Sequence, residues 1–347
     1  MEDTVKDFSV SYNRINNEDT FTGGDFISGN IKLELSKDCK INSLYVQIKG
    51  KAKVLWSEDH GRTSTVYSST EKFLSIKQSV IQELKGQESQ TVGQGCYAYP
   101  FNFQIPSKDL PSSFKSFTGK IQYRVKAYLS RSMSRDTKAN APFTVISKAS
   151  CSPEMMIPQH STKDQKLRLF NSGKVTMDVH INKMAFCQGE AMQVTAYIQN
   201  SSSRDIKPKY CLYLKTSFFA NGKKKVKTKD LVKEVGEPIP HSAGQNVIRV
   251  ITAPATAEVS ILNCSIIKHE YRLKVYLDVK YQFDPEVDFP IVILPATASP
   301  GLGQPPAYGG YGFEAFGNPS PTSAAYEPSA PPPPPSYGTY SLYPPLS

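Results

Sequence analysis

The residues whose types and spacing could do chemistry lie at the C-terminal end of this 347-residue chain. Pro305-Pro306-Ala307-Tyr308 and Pro334-Pro335-Ser336-Tyr337 both fit Pro-Pro-x-Tyr. That tetrad suits a WW domain. A preformed polyproline II turn lays two prolines in an aromatic groove, and the tyrosine fills a second pocket. The chemistry is recognition, carried by Pro305, Pro306 and Tyr308 in one copy and by Pro334, Pro335 and Tyr337 in the other. An SH3 domain is the rival reader, since Pro331–Pro335 contains Pro-x-x-Pro. SH3 grooves want a flanking Arg or Lys, and residues 295–347 hold neither. The tyrosines are 29 residues apart, which for a flexible segment is a root-mean-square span of roughly 30 Å, suited to neighbouring WW domains.

Two further motifs sit close by. Pro328-Ser329-Ala330-Pro331 is similar to the Pro-Ser/Thr-Ala-Pro motif that binds the ubiquitin-E2-variant subunit of ESCRT-I. Leu342, Tyr343, Pro344 and Leu346, in Leu-Tyr-Pro-Pro-Leu, match the Leu-Tyr-Pro-x-Leu motif for the V-domain ESCRT accessory protein. With Pro-Pro-x-Tyr, all three kinds of retroviral late motif fall between Pro328 and Leu346. Of the 53 residues from Pro295 onward 14 are Pro, and Gly, Ser, Ala and Tyr make up most of the rest. Such a composition cannot bury enough apolar surface to offset ordering, so residues 296–347 are expected to be a disordered tail with polyproline II bias.

Catalytic constellations are not found. The five histidines (60, 160, 180, 241, 269) show no His-x-x-x-His pair and no zinc pattern. Ser69-Thr70-Glu71-Lys72 matches Ser-x-x-Lys without its partner motifs. No phosphate-cradling Gly loop follows a strand, and Gly301–Gly312 lies in the Pro-rich tail with no helix expected behind it. The reading is a non-enzyme with no metal and no cofactor. Lys223, Lys224, Lys225, Lys227 and Lys229 form the densest basic patch. Either they are a solvated hairpin whose charges protect an edge strand, or they meet anionic lipid or a phosphorylated cargo tail. Nucleic acid is disfavoured, because no base-stacking aromatics accompany them.

The net charge of +10 is uneven: the tail holds only Glu314 and Glu327, which leaves about +12 on the body. Six cysteines (39, 96, 151, 187, 211, 264) show no C-x-x-C, so reduced thiols in a cytosolic protein are expected. The start is neither a signal peptide nor a myristoylation site, and no apolar run approaches the ~20 residues of a membrane span. The Asn200-Ser201-Ser202 and Asn263-Cys264-Ser265 sequons are therefore expected to be idle.

What must position these features is a repeated β-domain. Tyr123-Arg124-Val125-Lys126-Ala127-Tyr128-Leu129 returns as Tyr271-Arg272-Leu273-Lys274-Val275-Tyr276-Leu277, and in both the alternation is that of a half-buried strand. Phe21-Thr22-Gly23-Gly24-Asp25 resembles Phe186-Cys187-Gln188-Gly189-Glu190, and Phe143–Ile146 resembles Phe289–Ile293. Three matched pairs in one order mean two copies. Ile27 to Leu35 and Leu44 to Trp56 alternate as long antiparallel strands. Residues 57–95 are read as a hairpin extension with weaker strands near Phe73–Ile76 and Val80–Leu84. Tyr99–Pro106, bounded by prolines, suits an edge. Residues 147–172 lose the alternation, as a connector would. Asn221-Gly222 supplies the pair of a type I′ hairpin turn.

Tandem sandwiches carrying these phrases resemble the arrestin fold, and more closely the α-arrestins. The resemblance covers about residues 8–294. It rests on Gly24-Asp25 with Gly29, Gly50-Lys51-Ala52-Lys53-Val54-Leu55-Trp56, Gly189-Glu190, Asn200-Ser201-Ser202-Ser203-Arg204, and Asn263-Cys264-Ser265-Ile266-Ile267 running into Tyr271. It implies an all-β protein of two immunoglobulin-like, arrestin-like sandwiches followed by the disordered tail. The expected divisions are 1–150 (N-like), 151–172 (connector), 173–295 (C-like) and 296–347 (tail). It also implies a trafficking adaptor linking transmembrane receptors or transporters to HECT-type ubiquitin ligases, with ESCRT components. The expected place is the cytoplasm, peripheral at plasma membrane and endosomes. The alternative is a retromer-like scaffold without ligase recruitment.

Overall fold

Alternation of apolar and polar residues dictates strands, and the computed structural model shows how they stack. It describes residues 4–81, 90–132, 134–148, 152–167, 173–279 and 283–296. The Pro-Pro-x-Tyr tetrads and both ESCRT-type motifs lie outside the described residues. No helix among those residues is long and apolar enough to cross a membrane.

The first sandwich contains β1 (Val5–Tyr12), β2 (Thr20–Phe21), β3 (Phe26–Leu35), β4 (Cys39–His60), β5 (Thr63–Ile81), β6 (Gln90–Val92), β7 (Gly95–Gln104), β8 (Phe114–Lys115), β9 (Gly119–Arg131) and β10 (Thr137–Val145). One sheet runs β1-β3-β7. The other runs β2-β10-β9-β4-β5, with β6 on β4 and β8 on β9. After a short 3-10 helix (Pro153–Met156) the second sandwich contains β11 (Gln159–Leu167), β12 (Gly173–Ile181), β13 (Ala185–Cys187), β14 (Ala191–Ser202), β15 (Lys207–Ala220), β16 (Lys223–Val235), β17 (Ala243–Thr252), β18 (Ile267–Asp278) and β19 (Glu286–Leu294). Its sheets run β11-β12-β14-β17 and β13-β19-β18-β15-β16.

The sequence repeat is a structural repeat, except that its third pair slips by two residues: Phe143 faces Tyr123, and it is Ile291 rather than Phe289 that faces Tyr271. Tyr123 and Tyr271 are both buried, and each hydroxyl donates to a backbone carbonyl a dozen or so residues upstream: Pro111 at 2.7 Å and Glu258 at 2.5 Å. Asp25 accepts from the Thr22 N–H at 2.7 Å, and Glu190 accepts from the Cys187 N–H at 2.8 Å. Between them Gly24 and Gly189 adopt φ of 96° and 79°, which a side chain would resist. Each turn then launches a strand, β3 or β14, whose alternate residues enter a core.

Two stretches differ from the sequence reading. Gln159–Leu167 falls inside the expected connector, yet it forms β11 and pairs with β12 along its whole length. It is an edge strand with mostly polar residues, so it needs only backbone bonds and shows no hydrophobic alternation. The weak strand expected near Phe73–Ile76 is part of one 19-residue strand, β5, paired with β4 to the hairpin tip; β5 also takes in Val80 and Ile81, and the rest of the expected Val80–Leu84 strand lies outside the described residues. Two other readings match the structure: Asn221 and Gly222 take φ of 51° and 72° at the β15–β16 turn, and β7 is an edge strand.

The sandwiches share one core at their junction. Phe218, Ala220, Ile261, Cys264, Ile266 and Ile267 pack into the hydrophobic cluster of the first sandwich. A Cβ on Gly119 would come within 2.9 Å of the Phe218 ring, so only glycine allows this approach. Glu71 completes the contact by accepting from the Ser265 N–H and Oγ–H, both at 2.8 Å. Burial there pushes the Cys264 thiol up to about 11.

Candidate functional site

The five lysines singled out by sequence stand on β16, the last strand of its sheet. Lys223, Lys224, Lys227 and Lys229 are exposed and Lys225 is half-buried. Charge on an exposed edge discourages strand addition, which accounts for lysine there without a ligand. The structure adds a neighbour. Lys227 Nζ lies 5.9 Å from the ring centre of Phe117, which sits between β8 and β9 and is 99% exposed. Strand β9 begins two residues later and carries a larger basic surface.

That surface is the outward face of the sheet β10-β9-β4-β5. Strand pleating sends alternate residues of β9 outward: Lys120, Gln122, Arg124, Lys126. Antiparallel register sets them directly opposite Lys53, Lys51, Lys49 and Gln47 of β4. On the other side β5 places Lys72 opposite Lys51 and Ser75 opposite Lys49. All of these residues except Gln47 line a groove of about 450 Å³ floored by Gly50 and Leu74. Sheet geometry spaces the charges by roughly 4.8 Å between strands and about 6.7 Å along them. No lining residue is acidic. Among the described residues none of the seven cations makes an ion pair. Arg124 donates to the Asn140 side-chain oxygen at 3.0 Å and Lys49 to the Tyr128 hydroxyl at 3.3 Å, both neutral partners. One end of the face is aromatic: Tyr45 and Tyr128 stack at 4.7 Å, with Lys77 3.7 Å from the Tyr45 ring centre.

Like charges directly across a sheet destabilise it, and this face has three such pairs: Lys53–Lys120, Lys49–Arg124 and Lys51–Lys72. The second sandwich is an internal control. Its strand β18 repeats β9, and β19 pairs with it in the register that β10 uses on β9. Tyr276 faces Glu286 and Lys274 faces Asp288, where Tyr128 faces Lys138 and Lys126 faces Asn140. Lys274 pairs with Glu286 at 2.8 Å and Arg272 with Asp288 at 3.3 Å. The Glu286 carboxylate accordingly holds the Lys274 ammonium above its ordinary value. The fold therefore accommodates paired cations at these positions, and the first sandwich leaves them unpaired. Such a groove can hold a chain of spaced negative charges.

The alternating lysines of β4 are visible in the sequence. Their concentration into one groove is not, because β4 and β9 meet from some 75 residues apart and only register sets lysine against lysine.

Comparison with known proteins agrees with the architecture. Residues 8–152 match the family described as arrestin (or S-antigen), N-terminal domain, and residues 171–297 match its C-terminal domain. Arrestin domain-containing protein 4 of Mus musculus is 28% identical over 284 residues, which is 79% of this chain and 68% of that protein. The Homo sapiens protein of the same name is also 28% identical, over 285 residues, with the same coverage. Thioredoxin-interacting protein of Mus musculus is 27% identical over 301 residues, covering 83% of this chain and 73% of the relative.

Proposed function

The chain belongs to the arrestin family, in its α-arrestin branch, and on that premise we propose that it is a trafficking adaptor joining membrane-protein cargo to a HECT-type ubiquitin ligase. The body holds cargo, with the basic groove of the first sandwich taking an acidic or phosphorylated cytoplasmic segment of a receptor or transporter. The tail recruits the ligase, with Pro305, Pro306 and Tyr308 engaging one WW domain and Pro334, Pro335 and Tyr337 a second. Pro328–Pro331 and Leu342–Leu346 pass the assembly to ESCRT-I and to the V-domain accessory protein. The protein works peripherally at the plasma membrane and endosomes, where cargo tails and ligases meet. The β16 lysines lie beside the same junction and add positive charge towards an anionic surface.

The observation that carries this reading is the pair of Pro-Pro-x-Tyr tetrads behind an arrestin body. Two linked sites give the second contact an effective concentration near millimolar. Titration of the full chain with a fragment holding several WW domains should show severalfold weaker binding for Tyr308→Ala and for Tyr337→Ala, and no binding for the double variant. Residual binding by the double variant would place the ligase elsewhere, and a wild-type chain that binds no WW fragment would favour the ligase-free scaffold. The tail has no lysine, so ligase held there must modify the body. Ubiquitin should map to lysines such as Lys163, Lys166 and Lys223–Lys229, and vanish in the same double variant.

A further inference from the structure

The sequence expectation of no metal ligands rests on local spacing, and strand register brings together what local spacing keeps apart. His160 on β11 pairs directly with His180 on β12. Asp178 precedes His180 by two residues and so projects from the same face of the strand. Both imidazoles aim Nε2 at one carboxylate oxygen: His160 Nε2 is 2.5 Å and His180 Nε2 3.2 Å from Asp178 Oδ1. The three ligand atoms lie within 4.8 Å of one another, and the rings stack with centres 4.3 Å apart and planes 20° from parallel.

Two imidazoles and a carboxylate are a common donor set for late first-row divalent ions. Zinc binds imidazole nitrogen and carboxylate oxygen at about 2.0–2.2 Å, so tetrahedral ligands stand roughly 3.3 Å apart. The His180–Asp178 separation of 3.2 Å already meets this. The 2.5 Å contact of His160 must open by less than an ångström, which a half-exposed ring can do by rotating. The histidine side chains are each 53% exposed, so an ion can enter from solvent and complete its shell with water. The plainer reading is a carboxylate hydrogen-bonded to both imidazoles, which accounts for the two contacts without an ion. What favours an ion is that three ligand atoms, carried by two strands in fixed register, lie within 4.8 Å of one another.

We propose that His160, Asp178 and His180 form a surface site for a zinc-class divalent ion, which staples the edge strand β11 to β12. The staple would act where it is structurally useful. Strand β11 is the first of the second sandwich, bonded to its sheet on one side only, and it follows directly from the segment joining the two sandwiches. Its residues are largely polar and exposed, so backbone bonds to β12 hold it with little packing. An ion bridging the two strands would suppress fraying at that end.

The test is calorimetric titration of the full chain with zinc chloride at about pH 7.5, since metal ligation is favoured away from acid. Cys96→Ser is present throughout so that the exposed thiol does not compete. One ion should bind per chain, about tenfold or more weaker in His160→Asn and in His180→Asn, and not at all in the double variant. Undiminished binding in the double variant, or no binding to the parent chain, would overturn the proposal. Amide exchange supplies a readout independent of variant folding. Zinc should slow exchange in Gln159–Leu167 of the parent chain, and slowing confined to other segments would equally overturn it.

Discussion

Acid should weaken the junction between the sandwiches through His269. This residue sits on β18 and is 2% exposed, with its ring 5.2 Å from Phe114 of the first sandwich and 5.9 Å from Tyr271. Nδ1 pairs with the Thr216 hydroxyl at 3.1 Å, while Nε2 has no hydrogen-bond partner. The Glu258 carboxylate comes within 3.4 Å of Nε2 and would favour a charged ring, but it is 65% exposed and water screens it. Burial dominates and pulls the imidazole down from 6.5 to about 4. The unfolded chain therefore takes up the proton first. The stability contributed by the neutral ring is complete above about pH 6.5 and is lost as pH falls towards 4. With those two values the loss between about pH 7 and pH 5 is about 2 kcal/mol, reaching about 3 kcal/mol near pH 4. Urea unfolding of wild type and His269→Gln across this range isolates it, because other acid-sensitive groups are common to both. The variant should be less stable at neutral pH, and the gap should narrow by about 2 kcal/mol at pH 5. Parallel curves would refute the reasoning. Glu258→Gln serves as a control: if its carboxylate holds a charged ring, this substitution will steepen the acid loss, whereas burial alone leaves it unchanged.

Two further outcomes are expected. Asn200 is fully buried, donating to the carbonyls of Arg204, Ile239 and Pro240 and accepting from the Ser202 N–H and Oγ–H. Asn200→Asp turns a carboxylate against three carbonyl oxygens and should cost about 3–5 kcal/mol in denaturant unfolding, more than Asn200→Ala; the same burial means the Asn200 sequon is closed to glycosylation in the folded protein. Copying the second sandwich's acids into the first, as Lys138→Glu with Asn140→Asp, should leave the melting temperature equal or higher, and should weaken binding of a polyphosphorylated or polyacidic peptide and flatten its salt dependence in anisotropy titrations.

Much of the fold is legible in the sequence because burial has a period there. The buried set Ile121, Tyr123, Val125, Ala127 and Leu129 of β9 can be read off as alternation, and its echo in β18, with the two other matched pairs in the same order, implies a second copy of the domain. Strand β11 carries no such signal. It buries only Leu167, and what makes it a strand is a run of backbone bonds to β12, which no side chain announces. The candidate sites divide in the same way. Short linear motifs such as Pro334–Tyr337 are complete within a few residues, so sequence suffices to find them. The basic groove and the His160–Asp178–His180 cluster are properties of register, and one residue of slip would turn each set to opposite faces.

Duplication also explains why the groove argues for a ligand more strongly than its charge alone. Surface lysines are common, and their presence on a sheet ordinarily asks for no explanation. Here the same backbone exists twice with matching register, and its second copy shows what these positions look like when they serve the fold: Arg272 with Asp288 and Lys274 with Glu286. In the first copy Asn140 and Lys138 occupy the places of Asp288 and Glu286, so the cations remain while their partners do not. Folding gains nothing from that exchange, and like charges also face one another across β4, β5 and β9. On the proposed function, an anionic segment laid along the groove would supply the missing charges.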